Sequence, residues 1–142
     1  MSLFVDTSVW SLALRRDAAE RSAEVERLAG ALVAGEAVFT TGLVLQELLQ
    51  GFRRPKDRQA ILERFEPLPL IVPDREDHVG AAELRNECRR RGIQAGTIDA
   101  LLAQLCIRHE LVMLTTDADF TRIARHSQLS VWSGPRRAAP ER

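Results

Sequence analysis

The sequence predicts an α/β protein, a three-layer α/β/α sandwich around a central, mainly parallel sheet of about five strands. Five short, largely apolar runs, at 3–5, 37–39, 70–72, 111–114 and 129–132, are distributed over the whole chain. Each gap between them holds at least one segment with apolar residues at helical spacing. Such alternation is the pattern of βαβ units, whose crossover helices cover both faces of a parallel sheet. The run Leu111 to Leu114 is apolar on both of its faces, as a strand covered on two sides must be.

Taken in order, Leu3, Phe4 and Val5 form the first strand, and Asp6, Thr7 and Ser8 close it, with Thr7 or Ser8 able to cap the helix that Val9, Trp10, Leu12 and Ala13 begin. Val25, Leu28, Ala29 and Leu32 mark an amphipathic helix, with Glu20, Glu24 and Glu26 near its start, where negative charge suits the helix dipole. Ala37 to Phe39 form the second strand. Thr40 and Thr41 introduce a helix from Gly42 to about Gln50, apolar nearly all round and therefore buried or at an interface. Pro55 restarts the chain, Ile61, Leu62 and Phe65 line one face of the next helix, and Pro67 and Pro69 stop it. Leu70 to Val72 are the third strand. Asp74 caps a helix carrying Ala81, Leu84 and Cys88, which ends at Gly92. Thr97 reads as the cap of a buried helix that runs to about His109, with Asp99 in its first turn. Leu111 to Leu114 are the fourth strand, Phe120, Ile123 and Ala124 a short helix, and Leu129 to Trp132 the last strand.

With 142 residues, 45% hydrophobic and 28% charged, the chain has the length of one globular domain, expected at 1–134, followed by a polar tail at 135–142. No apolar run approaches the roughly 20 residues that span a bilayer, so no membrane association is expected. The start MSLFVDTSVW lacks the features of a signal peptide, which implies a cytoplasmic location. Cys88 and Cys106 fall in helical patterns without metal-type spacing and read as buried free thiols. The 20 basic residues balance the 20 acidic ones, so no overall field favours nucleic acid. Local patches must do so, and the arginines bunch at 53–54, 89–91 and 136–137, as solvated helix ends or as phosphate contacts. His78, His109 and His126 are scattered in helical contexts and read as structural or surface residues; Trp10 and Trp132 read as core or interface.

The acids call for explanation. Asp6, Asp99, Asp117 and Asp119 are half of the eight aspartates, and all fall at strand ends or at a buried helix start. Glu47 shares a helix face with Val44, Leu48 and Gly51, so it must be paired, with Arg53 or Arg54 as the nearby partners, bound to metal, or open to a cleft. One aspartate at a strand end is often only a cap; the joint pattern is not. If strands one and four are neighbours, these carboxylates share the crevice at the carboxyl ends of the strands. Carboxylates so close oppose one another's ionisation unless a cation compensates them. An all-oxygen set favours Mg²⁺ or Mn²⁺, which in turn suits in-line hydrolysis of a phosphodiester.

The blocks VDTSVW, LVLQELLQGF, GTIDALLAQLC and LTTDADF, in this order and over essentially the whole chain, resemble the PIN-domain ribonucleases, particularly VapC toxins. The resemblance implies an Mg²⁺- or Mn²⁺-dependent endoribonuclease with Asp6, Glu47, Asp99 and Asp117 as the acidic quartet and Asp119 as a supporting carboxylate. It matches Thr115 and Thr116 to hydroxyl-bearing positions, and Thr7 or Ser8 can orient a ligand beside Asp6. It also implies an RNA substrate, a homodimer and a small VapB-type antitoxin. A housekeeping RNA- or DNA-processing nuclease of the same fold and a non-catalytic metal-binding module are the alternatives. A phospho-acceptor domain needs a lysine after a late strand, whereas the only lysine is Lys56. A nucleotide-binding domain needs a glycine-rich loop where this chain has Asp6, Thr7 and Ser8.

Overall fold

The computed structural model describes residues 2–15 and 22–134. The polar tail, with Arg136 and Arg137, lies outside the described residues, as does Glu20. In chain order the elements are β1 (Leu3–Val5), α1 (Thr7–Leu14), α2 (Ala23–Ala34), β2 (Val38–Thr41), α3 (Gly42–Gly51), α4 (Pro55–Phe65), β3 (Leu70–Ile71), α5 (Arg75–Arg90), α6 (Thr97–Arg108), β4 (Val112–Leu114), α7 (Ala118–Ala124) and β5 (Ser130–Val131). The five strands form one sheet in the order β3-β2-β1-β4-β5, and each neighbouring pair is parallel. The fold is thus the predicted three-layer α/β sandwich.

The chain moves outward from β1 to β2 and β3, then returns to lay β4 on the other side of β1. Right-handed crossovers therefore put α1 to α4 on one face and α5 to α7 on the other. The helix contacts follow that division, since α1 packs on α2 and α3, and α3 on α4, whereas α6 packs on α5 and α7. Leu3, Phe4 and Val5 of the central strand are fully buried between the layers, together with Leu28, Val44, Leu48, Leu105, Met113 and Phe120. Trp10 and Phe65 join α1 to α4, with ring centroids 4.8 Å apart.

Several boundaries differ from expectation, each for a local reason. Asp6, not Thr7 or Ser8, occupies the cap position of α1, because both hydroxyl residues already have helical backbone. Gly96, not Thr97, precedes α6 in the same way. Thr40 and Thr41 belong to β2, and Thr41 also caps α3, its Oγ1 accepting from the Val44 N–H at 3.3 Å. The last strand shortens to two residues. The 70–72 run is apolar, yet β3 is an edge strand of two residues, and Leu70 and Val72 are 51% and 82% exposed. On α3 only Val44 and Leu48 are buried; Gln46, Glu47 and Gln50 face solvent, so this helix is amphipathic rather than enclosed. Cys88 and Cys106 are buried free thiols, as expected.

The most extensive helix pairing, α5 on α6, sets the position of Asp99. At their contact Gly80 meets the Gln104 carboxamide, which a Cβ there would displace, falling 2.5 Å from the Nε2. Asp74 and Asp77 form a reciprocal capping box at the start of α5, and the Arg108 Nη1 donates to both carboxylates at 2.8 Å. Asp77 is almost wholly buried, whereas Asp74 is half exposed and is held at a pKa of about 2, chiefly by its hydrogen bond from Arg108. Removing Arg108 strands the buried Asp77 charge. Arg108→Met is expected to lower the Tm by several degrees at pH 7, with a smaller loss near pH 2, where Asp74 is about half protonated; circular-dichroism melting of both proteins checks this. An unchanged Tm at pH 7 would show that the clamp is only ornamental.

Candidate active site

The pairing of β1 with β4 aligns Leu3, Phe4 and Val5 with Val112, Met113 and Leu114, so the residues after each strand meet at the sheet's carboxyl edge. Asp6 follows β1 and Thr115 follows β4. This is where the strand order reverses, the place where open α/β sheets bind ligands.

Asp6 is 6% exposed and is held by two hydroxyls. Ser8 Oγ donates to its Oδ2 at 2.7 Å, and Thr115 Oγ1 donates to the same oxygen at 2.6 Å. Each hydroxyl accepts in turn from the β4–α7 backbone, Ser8 from the Thr116 N–H and Thr115 from the Asp117 N–H, both at 3.0 Å. Among the described residues the Asp6 Oδ1 has no such partner. The hydroxyl positions thus separate in role. Ser8 and Thr115 orient Asp6, Thr116 contributes only its backbone N–H, and the Thr7 Oγ1 is buried without a hydrogen bond.

Asp117 caps the short α7, its Oδ1 accepting from the Asp119 N–H at 2.9 Å. Asp99 reaches the same space from the first turn of α6. Carboxylate oxygens of Asp99, Asp117 and Asp119 all lie within 4.8 Å of one another. Burial, and then the charges of Asp117, Asp6, Asp119 and Glu47, push the Asp99 carboxyl up to about 6. Of the five acids named from the sequence, Asp99, Asp117 and Asp119 come together, while Asp6 and Glu47 reach Asp99 through their charge. The tightest trio includes Asp119, expected only as support, while Glu47 is exposed on α3 and exerts the weakest influence. Neither Arg53 nor Arg54 pairs with Glu47 among the described residues. The histidines are exposed and stand outside the cluster.

Sequence reasoning missed two arginines. Arg122 pairs with Asp119 across one turn of α7. Arg85 Nε donates to the Ala95 carbonyl at 2.9 Å and so fixes the backbone leading to Gly96 and Asp99. The three-residue spacing of Asp119 and Arg122 was a readable signal for the first; the second depends on tertiary packing and left none.

The donor set fits a hard divalent cation. It offers only oxygens, it gathers more negative charge than the protein neutralises, and at least three carboxylates are close enough to share one ion.

The sequence model of the family described as PIN domain matches residues 3–126. The chain belongs to the PIN domain family. Within that family it is 32% identical over 133 residues to VapC ribonuclease Mb1587 of Mycobacterium bovis, a match covering 92% of this chain and 98% of the relative. Ribonuclease VapC11 of Mycobacterium tuberculosis matches with the same identity and coverage. Among solved structures, VapBC2 from Rickettsia felis bound to a promoter DNA fragment aligns with a TM-score of 0.73 at 20% identity, over 93% of this chain and 98% of that one. VapBC-1 from nontypeable Haemophilus influenzae aligns with a TM-score of 0.71 at 18% identity, over 93% and 97%. These two likenesses establish the PIN fold of the chain.

The electrostatics of this PIN site can be measured without substrate. The folded chain holds the Asp99 proton more tightly than the unfolded chain, so stability falls as pH rises through the range from about 4 to about 6 and stays reduced above it. At about 1.4 kcal/mol per pKa unit, and allowing for partial solvent screening, the deficit is about 1–3 kcal/mol. In EDTA at pH 7.5, Asp99→Asn is expected to raise the Tm by about 3–8 °C. Near pH 3, below the unfolded pKa of the carboxyl, the two proteins should melt alike. A variant no more stable than its parent at pH 7.5 would refute the assigned repulsion.

Proposed function

We propose that this chain is a divalent-metal-dependent endoribonuclease, the toxin of a type II toxin–antitoxin pair, working in the cytoplasm as a single PIN domain over 1–134. The convergence of the Asp99, Asp117 and Asp119 carboxylates beside the locked Asp6 is the observation that carries this reading. The curated relatives named as ribonucleases, alike over nearly the whole chain, support the substrate class.

In this reading Asp6, Glu47, Asp99 and Asp117 hold Mg²⁺ or Mn²⁺, with Asp119 as a supporting ligand. A bound cation supplies Lewis acidity toward the phosphate and lowers the pKa of water. The protein does the rest by position. Ser8 and Thr115 fix Asp6 in one rotamer, which leaves its Oδ1 free to act. The hydrogen bond from the Asp119 N–H fixes Asp117 likewise. Asp99, whose carboxyl keeps its proton up to about 6 when no cation compensates the cluster, must surrender it as the site charges, so protons should compete with the cation below that pH. Arg122 gives Asp119 a movable counter-charge.

We assign the chain a homodimeric state and a small VapB-type antitoxin. An apolar groove lined by Leu43, Ala81, Ala82, Ile98 and Leu101, between α3, α5 and α6, supports an interface there. The solved complexes named VapBC support the antitoxin.

The decisive test is cleavage of total RNA by the purified protein with Mg²⁺, with Mn²⁺ and with EDTA. Cation-dependent bands are expected, reduced at least about 100-fold in Asp6→Asn and in Asp99→Asn, the scale of losing an electrostatic catalytic group. Full activity in either variant would remove that acid from the mechanism. Thr115→Val should retain the fold while weakening Mn²⁺ binding about 10-fold, as loss of a group orienting a ligand does. Titration calorimetry measures it, and unaltered affinity would assign Thr115 a structural role only.

A further inference from the structure

An RNA strand carries a charge at every phosphate, and five carboxylates repel it. One divalent cation does not offset five negative charges, so cationic side chains near the acids must hold the strand if the ribonuclease reading is right. Several arginines are already engaged. Arg90 and Arg91 both bond to Glu87, Arg108 to Asp74 and Asp77, and Arg122 to Asp119.

Arg85 and Arg89 of α5 differ. With Gln94, Ala95 and Gly96 they line an open cavity of about 550 Å³. Its lining ends at Gly96, which adjoins the acid cluster through Asp99, because a Cβ on Gly96 would lie 3.7 Å from the Asp99 Oδ2. Arg85 uses its Nε on the Ala95 carbonyl, and its two Nη groups have no hydrogen bond among the described residues; the Arg89 side chain has none at all. The cavity therefore offers two guanidinium groups and a carboxamide immediately beside the carboxylates. Planar, multidentate donors of this kind suit phosphate oxygens. A second basic cavity, lined by Arg15, Arg53, Arg54 and Lys56, is slightly larger at about 620 Å³, but Asp57 shares it, and of the acids only Glu47, which influences Asp99 least, shares a helix face with one of its lining residues, Gly51.

We propose that Arg89, with the free face of Arg85, binds an RNA phosphodiester next to the one presented to the acid cluster. The subsite rests on the ribonuclease reading and extends it to how the strand is held. Arg85 fixes the Ala95 backbone and faces the same phosphate, so it couples the position of the strand to that of Asp99. Arg89 has no side-chain partner among the described residues and is the cleaner probe.

The test uses the full chain carrying Asp99→Asn, so that RNA survives the measurement, with and without Arg89→Gln. Binding of a fluorescein-labelled, mixed-sequence single-stranded RNA is followed by anisotropy in Mg²⁺ between about 50 and 200 mM salt. Arg89→Gln is expected to weaken binding about 3–10-fold and to reduce the log–log salt slope by about 0.7, the value for one phosphate contact on a single strand. Arg89→Lys should restore the slope, and Arg53→Gln should leave it unchanged. Unaltered affinity and slope in Arg89→Gln, or a slope lost only in Arg53→Gln, would overturn the subsite while cleavage by the parent protein left the ribonuclease reading intact. A weakened, flattened response in a protein that cleaves no RNA with either cation would keep the subsite and refute the cleavage. If the parent protein neither binds nor cleaves RNA, both fall.

Discussion

Everything at the site depends on the pairing of β1 with β4. These strands are more than 100 residues apart in sequence, yet their parallel register puts Asp6 and Thr115 side by side. The Thr115 hydroxyl then works in both directions, donating to the Asp6 carboxylate and accepting from the Asp117 N–H. Ser8 does the same between Asp6 and the Thr116 N–H. Two hydroxyls thus stitch the ends of two strands into one rigid rim. A carboxylate carried on a loose loop would relax away from its like-charged neighbours; this one is held against them.

The cost of that arrangement is borne elsewhere in the molecule. Asp99 is forced toward its companions by α6, and α6 is held by α5 through the close contact at Gly80 and the Arg108 clamp on Asp74 and Asp77. The clamp sits at the end of α6 remote from Asp99, so Asp99 is pressed toward the other acids by packing at a distance. Sites that gather like charges are commonly stabilised from outside in this way.

The alternation of apolar runs and helical periods made the fold legible, because a strand buried on two faces has a compositional signature that a loop lacks. The five acids were legible for a related reason, since a carboxylate placed next to an apolar strand or inside a buried helix stands out against its surroundings. Thr7 or Ser8, and Thr97, fall one or two residues past the true caps Asp6 and Gly96, because hydroxyl residues serve as caps and as first-turn residues alike, and only backbone angles separate the two. The exposure of Leu70 and Val72 was hidden as well, because an edge strand and a central one can share a composition. Distinguishing Ser8 from Thr7 required the partner across the sheet. Arg85 left no mark at all, since its carbonyl partner lies ten residues away in a loop.

The edge strand β3 bears on how the protein behaves in company. Its apolar side chains are open to water, and an unpaired strand edge of that kind invites other chains to add on and grow aggregates. Here the invitation is withdrawn by shape. The strand is two residues long, and Pro69 before it and Pro73 shortly after it have no N–H to offer a newcomer. Crowded chains therefore meet an edge too short and too poor in donors to template a shared sheet, and the apolar surface at this end of the fold stays compatible with high concentration.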